Sequence, residues 1–227
     1  MQRRSVMRED KDLAAKRLEM LEKQMRRRGI IDEKVLTAMD VVPRHKFVAE
    51  EFRERAYDDA PLPIGDGQTI SQPYIVAAMT AALRLKASDR ILEIGTGCGY
   101  QAAILSRLGK EVFSVERRPR LAADASKRLM ELGYSNVHVH CGDGTLGLQE
   151  FAPFDAILVA AAAPAVPKPL LAQLAEGGRM ILPVGDEENQ VLQLVEKLAN
   201  TVLTNTLEGC RFVPLVGYYG WQNPPQR

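Results

Sequence analysis

The chain has 227 residues, 46% hydrophobic and 26% charged, enough to bury a sizeable core within one domain of ordinary globular composition. Its 30 basic and 29 acidic residues leave a net charge of +1, without the electrostatic pull toward nucleic acid or a membrane surface that a strongly basic chain exerts. Three cysteines (Cys98, Cys141, Cys210) without CxxC spacing, a charged N-terminus without an apolar core, and a longest apolar run (Ala156 to Val166) broken by Pro164 predict no disulfide framework, metal site, secretory signal or membrane span, and a reducing cytoplasm. A monomer is expected, although no residue pattern fixes the oligomeric state.

The first ninety residues predict helices and one ordered loop. Leu18, Leu21 and Met25 recur at helical spacing before Gly29, a C-terminal stop. Asp32 is placed to cap a second short helix that ends before Pro43. Between Ala60 and Gln68 the prolines and glycines predict no regular element but an ordered functional loop. A third helix starts around Ser71-Gln72-Pro73, with Ser71 a good N-cap, and runs to about Leu83.

From Arg90 onward short apolar runs alternate with helix-like stretches. Ile91–Ile94 leads into three closely spaced glycines and a helix from about Tyr100 to Leu108. Val112–Val115 ends in Glu116, and Pro119 opens a helix to Leu132. Val137–Cys141 runs into Gly142-Asp143-Gly144. Phe154–Val159 precedes a helix from Lys168 to Ala175 and a strand from Arg179 to Pro183. Such alternation means βαβ units and a mostly parallel sheet. Gln190–Leu198 and Leu207–Val213 then read as two strands with no helix between them. The prediction is an α/β fold: a doubly wound, mostly parallel seven-stranded, Rossmann-like sheet with N-terminal helices and an antiparallel C-terminal strand pair. One domain would span 1–227, with a helical and substrate-loop segment at 1–88, a cofactor-binding sheet at 89–216 and a tail at 217–227.

The turn Glu93-Ile94-Gly95-Thr96-Gly97-Cys98-Gly99 sits after the first strand of that sheet, where open α/β folds bind ligands. Its spacing departs from the dinucleotide pattern G-x-G-x-x-G, because Tyr100 stands where the last glycine belongs, and Gln101 follows where a phosphate loop would carry lysine. This favours S-adenosylmethionine, which carries no phosphate. Glu116, at the end of the next strand, is placed to accept from both ribose hydroxyls. Asp143, between Gly142 and Gly144, can face the adenine amine, and Glu93 can orient the turn or the methionine end. The bland alternatives are a tight turn for the glycines, a solvated strand end for Glu116 and an Asp-Gly turn for Asp143; the fall of all three features on consecutive strand ends weakens them. After the fourth strand Ala160–Pro164 offers no polar side chain, and His45, His138 and His140 do not cluster, so no general base is apparent. An acceptor already ionised at neutral pH, a carboxylate, fits that absence.

Several segments resemble the protein-L-isoaspartate O-methyltransferases in order along the chain: Val42-Pro43-Arg44-His45-Lys46-Phe47-Val48, Leu62 to Pro73, Ile91 to Gln101, Phe154-Asp155-Ala156-Ile157 and Arg211-Phe212-Val213-Pro214-Leu215. Gln68-Thr69-Ile70-Ser71-Gln72-Pro73 is the most discriminating. The resemblance implies methyl transfer from S-adenosylmethionine to the free carboxylate of isoaspartyl residues in damaged proteins and peptides, S-adenosylhomocysteine being the product. The following backbone amide nitrogen then attacks the ester carbonyl and methanol leaves as a succinimide recloses, which begins repair. It implies that Ser71 aligns the isoaspartyl carboxylate, that Thr69 and Ile70 flank it, and that Val213 and Pro214 line a peptide groove. It also implies that Glu93, Gly95, Thr96, Gly97, Gly99, Gln101, Glu116, Gly142, Asp143 and Gly144 hold the cofactor. The rivals are a small-molecule carboxylate or hydroxyl methyltransferase on the same scaffold, a nicotinamide-dependent oxidoreductase, and a catalytically silent S-adenosylmethionine sensor. Cys98 replaces the family's usual serine, and the tail from Gly217 shows no family pattern.

Overall fold

A computed structural model describes residues 2–186, 188–199 and 201–222, with side chains from residue 11 onward. The chain forms two compact units, Met1–Ala81 and Ala82–Arg227.

In the first unit, α1 (Gln2–Met20) runs into a wide turn of helix at Leu21–Met25 and a tight one at Arg26–Arg28. Gly29 ends it in the left-handed region, with φ of 88°, as its position predicts. The wide turn shifts the apolar face, so the buried residues are Leu13, Met20, Leu21 and Met25 while Leu18 stays 58% exposed. Leu18 therefore does not belong to the stripe its spacing predicts. In α2 (Glu33–Val41), Asp32 caps as expected, its carboxylate accepting from Lys34 N–H at 2.9 Å and Val35 N–H at 3.4 Å.

The segment expected to hold no regular element is an antiparallel hairpin, β1 (Leu62–Gly65) and β2 (Gln68–Ile70). Asp66 and Gly67 form its two-residue turn, with φ of 50° and 68°. Positive φ at both positions is the mirror-type turn that Asp-Gly favours and whose twist matches that of the strands. Pro63 is tolerated because a two-stranded ribbon is all edge. Helix α3 (Pro73–Leu83) starts one residue later than a Ser71 cap requires. Pro73 supplies the preset φ of a first helical position, and Val76 N–H bonds the Gln72 carbonyl at 3.2 Å, so Gln72 occupies the cap position.

The second unit is a seven-stranded sheet in the order β5-β4-β3-β6-β7-β8-β9. Strands β3 (Arg90–Ile94), β4 (Glu111–Glu116), β5 (Val137–Cys141), β6 (Phe154–Val159) and β7 (Leu174–Gly185) pair in parallel. The chain builds outward from β3 to β5 and then returns to place β6 against the other side of β3. With right-handed crossovers that reversal puts helices on opposite faces, so the sheet is doubly wound and mostly parallel, as predicted. Helices α4 (Tyr100–Ser106), α5 (Pro119–Glu131) and α6 (Lys168–Gln173) are the crossovers. The core gathers Leu92, Ile94, Phe113, Val115, Ile157, Val159, Met180 and Leu182. These strands lack inside-outside alternation because a parallel sheet is buried on both faces.

The antiparallel finish is present, but its last strand is displaced. β8 (Gln190–Leu198) matches its expected limits, whereas β9 is Thr201–Cys210 rather than Leu207–Val213. Leu198 pairs with Thr201, so the chain reverses at once. β9 is an edge strand exposed from Thr201 to Leu207, and an uncovered edge shows no apolar periodicity to read.

Candidate active site

The turn after β3 lies beside the switch point of the sheet. Gly95 N–H bonds the Val115 carbonyl of β4, and Ala160 N–H, just past β6, bonds the Ile94 carbonyl, both at 2.8 Å. Gly95, Gly97 and Gly99 have φ of 95°, 54° and 90°, values that a side chain would strain. Gly99 has a second reason: a Cβ there would lie 3.1 Å from Leu129 Cδ1 of α5, so the glycine lets α4 and α5 approach.

Two buried carboxyl groups flank the turn. Glu116 Oε2 accepts from Gly97 N–H, and Oε1 from Arg118 N–H, each at 2.9 Å. One lone pair on each oxygen is thereby used and another is left. Glu93 is fully buried; its Oε2 accepts from Ser114 Oγ, and its Oε1 has no partner among the described residues. Thr96 Oγ1 lies 2.6 Å from Ser114 Oγ. Either hydroxyl can donate in that pair, so Glu93, Ser114 and Thr96 form one buried hydrogen-bonded chain. Burial, reinforced by the nearby charge of Glu116 and opposed by the Ser114 hydrogen bond, pushes Glu93 up to about 8. The charge of a low-dielectric carboxylate is what burial penalises. Gln101 sits half-buried in the second position of α4.

The third strand end brings up Gly142, Asp143 and Gly144. Gly142 N–H bonds the Glu116 carbonyl at 3.0 Å, which fixes this loop against the end of β4. A Cβ on Gly144 would fall 2.4 Å from Ile94 Cγ2, so that glycine is required for close packing on β3. Asp143 Oδ1 accepts from Thr145 N–H at 2.9 Å and Thr145 Oγ1 at 2.7 Å, and Oδ2 from Tyr218 N–H at 2.8 Å. Partial burial works to raise the Asp143 pKa, but these donors together with Arg117 hold it below the usual carboxylate range. The side chain expected to meet adenine is therefore already well supplied with donors, with one lone pair left on Oδ2.

Tyr218 belongs to the tail, which carries no recognisable pattern in the sequence. From Gly217 to Trp221 it forms a strap: Tyr219 N–H bonds Thr145 Oγ1, and Trp221 Nε1–H bonds the Ala162 carbonyl, both at 3.1 Å. Upstream, Ala162 pairs with Pro214 through Ala162 N–H to the Val213 carbonyl and Leu215 N–H to the Ala162 carbonyl, each 2.8 Å. The Val213 carbonyl is thus committed to this bridge. Val213 and Pro214 are half-buried.

In the first unit, Thr69 is exposed, Ile70 buried and Ser71 half-buried, so Ile70 can meet a ligand only through its backbone. The Ser71 carbonyl accepts from Arg44 Nη2 at 2.7 Å. The Ser71 hydroxyl bonds no described residue. His45 Nδ1 pairs with Tyr57 Oη at 2.8 Å, and His138 and His140 pack on Phe113; each has a structural contact. Among the described residues no three His, Cys, Asp or Glu group as a metal site, and no helix is long and apolar enough to cross a membrane.

The donor set fits S-adenosylmethionine. The backbone at the three glycines leaves the turn open to a close approach, Glu116 keeps acceptor capacity beside it, and the unpartnered buried Glu93 Oε1 waits behind it. Ser114, Thr145 and the strap are parts of this arrangement that sequence patterns did not single out, since a serine inside a strand and a glycine-aromatic tail carry no spacing signal of their own.

Residues 15–220 match the family described as Protein-L-isoaspartate(D-aspartate) O-methyltransferase, a span that takes in most of the strap. A relative in Syntrophobacter fumaroxidans (strain DSM 10017 / MPOB), named protein-L-isoaspartate O-methyltransferase 1, is 57% identical over 203 residues, covering 89% of this chain and 95% of its own. A protein-L-isoaspartate O-methyltransferase of Syntrophus aciditrophicus (strain SB) is 53% identical over 208 residues, covering 90% and 95%. A solved protein-L-isoaspartate O-methyltransferase superposes with a TM-score of 0.82 at 32% identity, covering 90% of this chain and 67% of that one. A Plasmodium falciparum structure described as the same kind of enzyme, in complex with S-adenosyl-L-homocysteine, gives 0.77 at 28% identity, covering 88% and 98%.

Proposed function

The chain belongs to the protein-L-isoaspartate(D-aspartate) O-methyltransferase family, and from that premise we infer that it transfers a methyl group from S-adenosylmethionine to the free carboxylate of L-isoaspartyl residues in damaged proteins and peptides. The observation that carries the reading is the glycine turn at the switch point, tied through Gly97 to Glu116 at the next strand end. When bound, S-adenosylmethionine supplies a methyl carbon on a sulfonium, whose C–S bond breaks as an oxygen attacks.

Gly95, Thr96, Gly97, Gly99 and Gln101 would hold the methionine end with Glu93 behind them. Glu116 would accept from the ribose hydroxyls, and Gly142, Asp143 and Gly144 would border the adenine. The acceptor carboxylate is ionised at neutral pH, so the chain need supply no base; what it contributes is alignment. Ser71 would donate its hydroxyl to one carboxylate oxygen, leaving the other to react. Thr69 and Ile70 would flank it, and Val213 and Pro214 would line the peptide groove. The Ser71 hydroxyl, which bonds no described residue, supports its part, since a donor already satisfied within the chain could not serve an acceptor.

In this reading residues 1–88 present the substrate and 89–216 hold the cofactor within one methyltransferase domain. The near-zero net charge exerts no pull toward nucleic acid, which supports proteins as the substrate; we place the chain in the cytoplasm as a monomer. The test uses radiolabelled S-adenosylmethionine and paired peptides that differ only in Asp or isoAsp. Base-labile methyl ester is expected on the isoAsp peptide alone. Equal labelling of both peptides, or of neither, would sink the assignment, and labelling of small carboxylates or alcohols instead would point to a small-molecule methyltransferase.

A further inference from the structure

Arg44 is fully buried, a costly place for a guanidinium unless its donors are well used. Its Nε bonds the Ala56 carbonyl at 2.7 Å, at the end of the short helix Glu50–Arg55. Its Nη2 bonds the Ser71 carbonyl at 2.7 Å. One planar side chain thus spans from residue 56 to residue 71 and pins both carbonyls. On the other side of Ser71, Gln72 Nε2 bonds the Asp59 carbonyl at 3.2 Å, and before it Ile70 pairs with Leu62 in the hairpin. The backbone at Ser71 is therefore held from both flanks while its hydroxyl has no described partner.

We propose that Arg44 is a positioning residue for methyl transfer: its guanidinium fixes the Ser71 carbonyl against the Ala56 carbonyl and so sets the direction of the Ser71 hydroxyl toward the acceptor carboxylate. The proposal rests on the reading of Ser71 as the group that aligns the acceptor. A rigid fork suits this task better than an ammonium, because two carbonyls separated along the chain require donors at fixed angles. A hydroxyl displaced by a fraction of its hydrogen-bond length aligns the acceptor poorly, although binding of the cofactor is untouched.

The full chain is assayed with an isoAsp peptide as Arg44→Met, Arg44→Lys, Ser71→Ala and the double variant Arg44→Met/Ser71→Ala, with S-adenosylhomocysteine affinity measured by calorimetry. Misplacement of a reacting group costs on the order of 100-fold, so Arg44→Met should lower kcat by roughly that factor. S-adenosylhomocysteine affinity should stay within about two-fold, because the two carbonyls that Arg44 pins, Ala56 and Ser71, lie outside the proposed cofactor residues. In the Ser71→Ala background the same change should cost less than about two-fold, since the group it positions is gone. Arg44→Lys, which keeps the charge and can reach one carbonyl, should fold if Arg44→Met does not, and should lower kcat by about ten-fold.

Full loss of kcat on top of Ser71→Ala, or a parallel loss of cofactor affinity, would make Arg44 a general scaffold residue and overturn the proposal. So would unchanged kcat in both Arg44 variants beside an impaired Ser71→Ala. Unchanged kcat in Ser71→Ala itself would remove the Ser71 reading and the proposal with it, a result distinct from the others.

Discussion

Gly97 donates its backbone N–H to Glu116 Oε2 at 2.9 Å, while Glu116 Oε1 takes the N–H of Arg118 at the same distance. One carboxylate thus joins the middle of the glycine turn to the start of the next helix. Glu116→Ala removes both acceptors, and Glu116→Gln replaces one of them with an NH2 that faces an N–H, so the amide does not rescue. Hydrogen bonds to charged groups are worth about 1.5–3 kcal/mol, and both variants should bind S-adenosylhomocysteine on the order of ten- to a hundred-fold more weakly by titration calorimetry. A glutamine variant that binds like the parent would show that the negative charge has no part in holding the turn.

Glu93 is held up to about 8 from an ordinary 4.5, first by burial and then by the neighbouring charge of Glu116, against the Ser114 hydrogen bond. At pH below the ordinary value the group is protonated in both folded and unfolded chains. Between that value and about 8 the folded form keeps its proton while the unfolded form loses it, so stability falls as pH rises through this window and levels off above it. Glu93→Gln is neutral throughout and should lack that slope. The comparison is thermal midpoint against pH for the two proteins, measured without cofactor; curves that run parallel from pH 5 to 9 would contradict a raised Glu93.

Much of the sheet was legible from two patterns: Phe154–Val159, buried on both faces in the parallel sheet, announces itself as a short apolar run, while the half-buried edge strand Val137–Cys141 and the antiparallel strand Gln190–Leu198 show alternation. All three have their expected limits. β9 did not, because its exposure removes the pattern that marks a strand. The hairpin at Leu62–Ile70 was hidden by its own prolines and glycines, although Asp66-Gly67 was itself a hairpin signal. At the candidate site, chain-local features could be read: glycine spacing, and acids at successive strand ends. What could not be read joins distant positions: Ser114 to Glu93, Arg44 to Ser71 and Tyr218 to Asp143. No local period relates the members of such pairs, which meet only through the fold.

The Asp66-Gly67 turn gives a clean measure of backbone strain. Gly67 has φ of 68° and nothing within 4 Å of where a Cβ would stand, so Gly67→Ala meets no clash. It pays only for the left-handed conformation, about 1–2 kcal/mol. Chemical denaturation should show a loss of that size, with S-adenosylhomocysteine affinity unchanged. A loss several times larger would mean that the hairpin opens rather than bends.

Gly217 is the opposite case. Its φ is not among the positive ones, so alanine suits the backbone, but the added Cβ would lie 2.0 Å from Asp143 Oδ1 and 2.7 Å from Thr145 Cγ2. Either the strap lifts or Asp143 turns away, and in both cases the Tyr218 N–H to Asp143 Oδ2 bond of 2.8 Å is lost. Overpacking of this kind costs about 1–3 kcal/mol, which should appear in urea unfolding. Because Asp143 stands at the proposed adenine side, S-adenosylhomocysteine affinity should fall as well, unlike in Gly67→Ala. Trp221→Phe, which removes the indole donor to the Ala162 carbonyl along with part of the ring, should cost at least about 1 kcal/mol and affect affinity less. If Gly217→Ala loses stability but binds S-adenosylhomocysteine as the parent does, the strap holds the fold together without shaping the cofactor site.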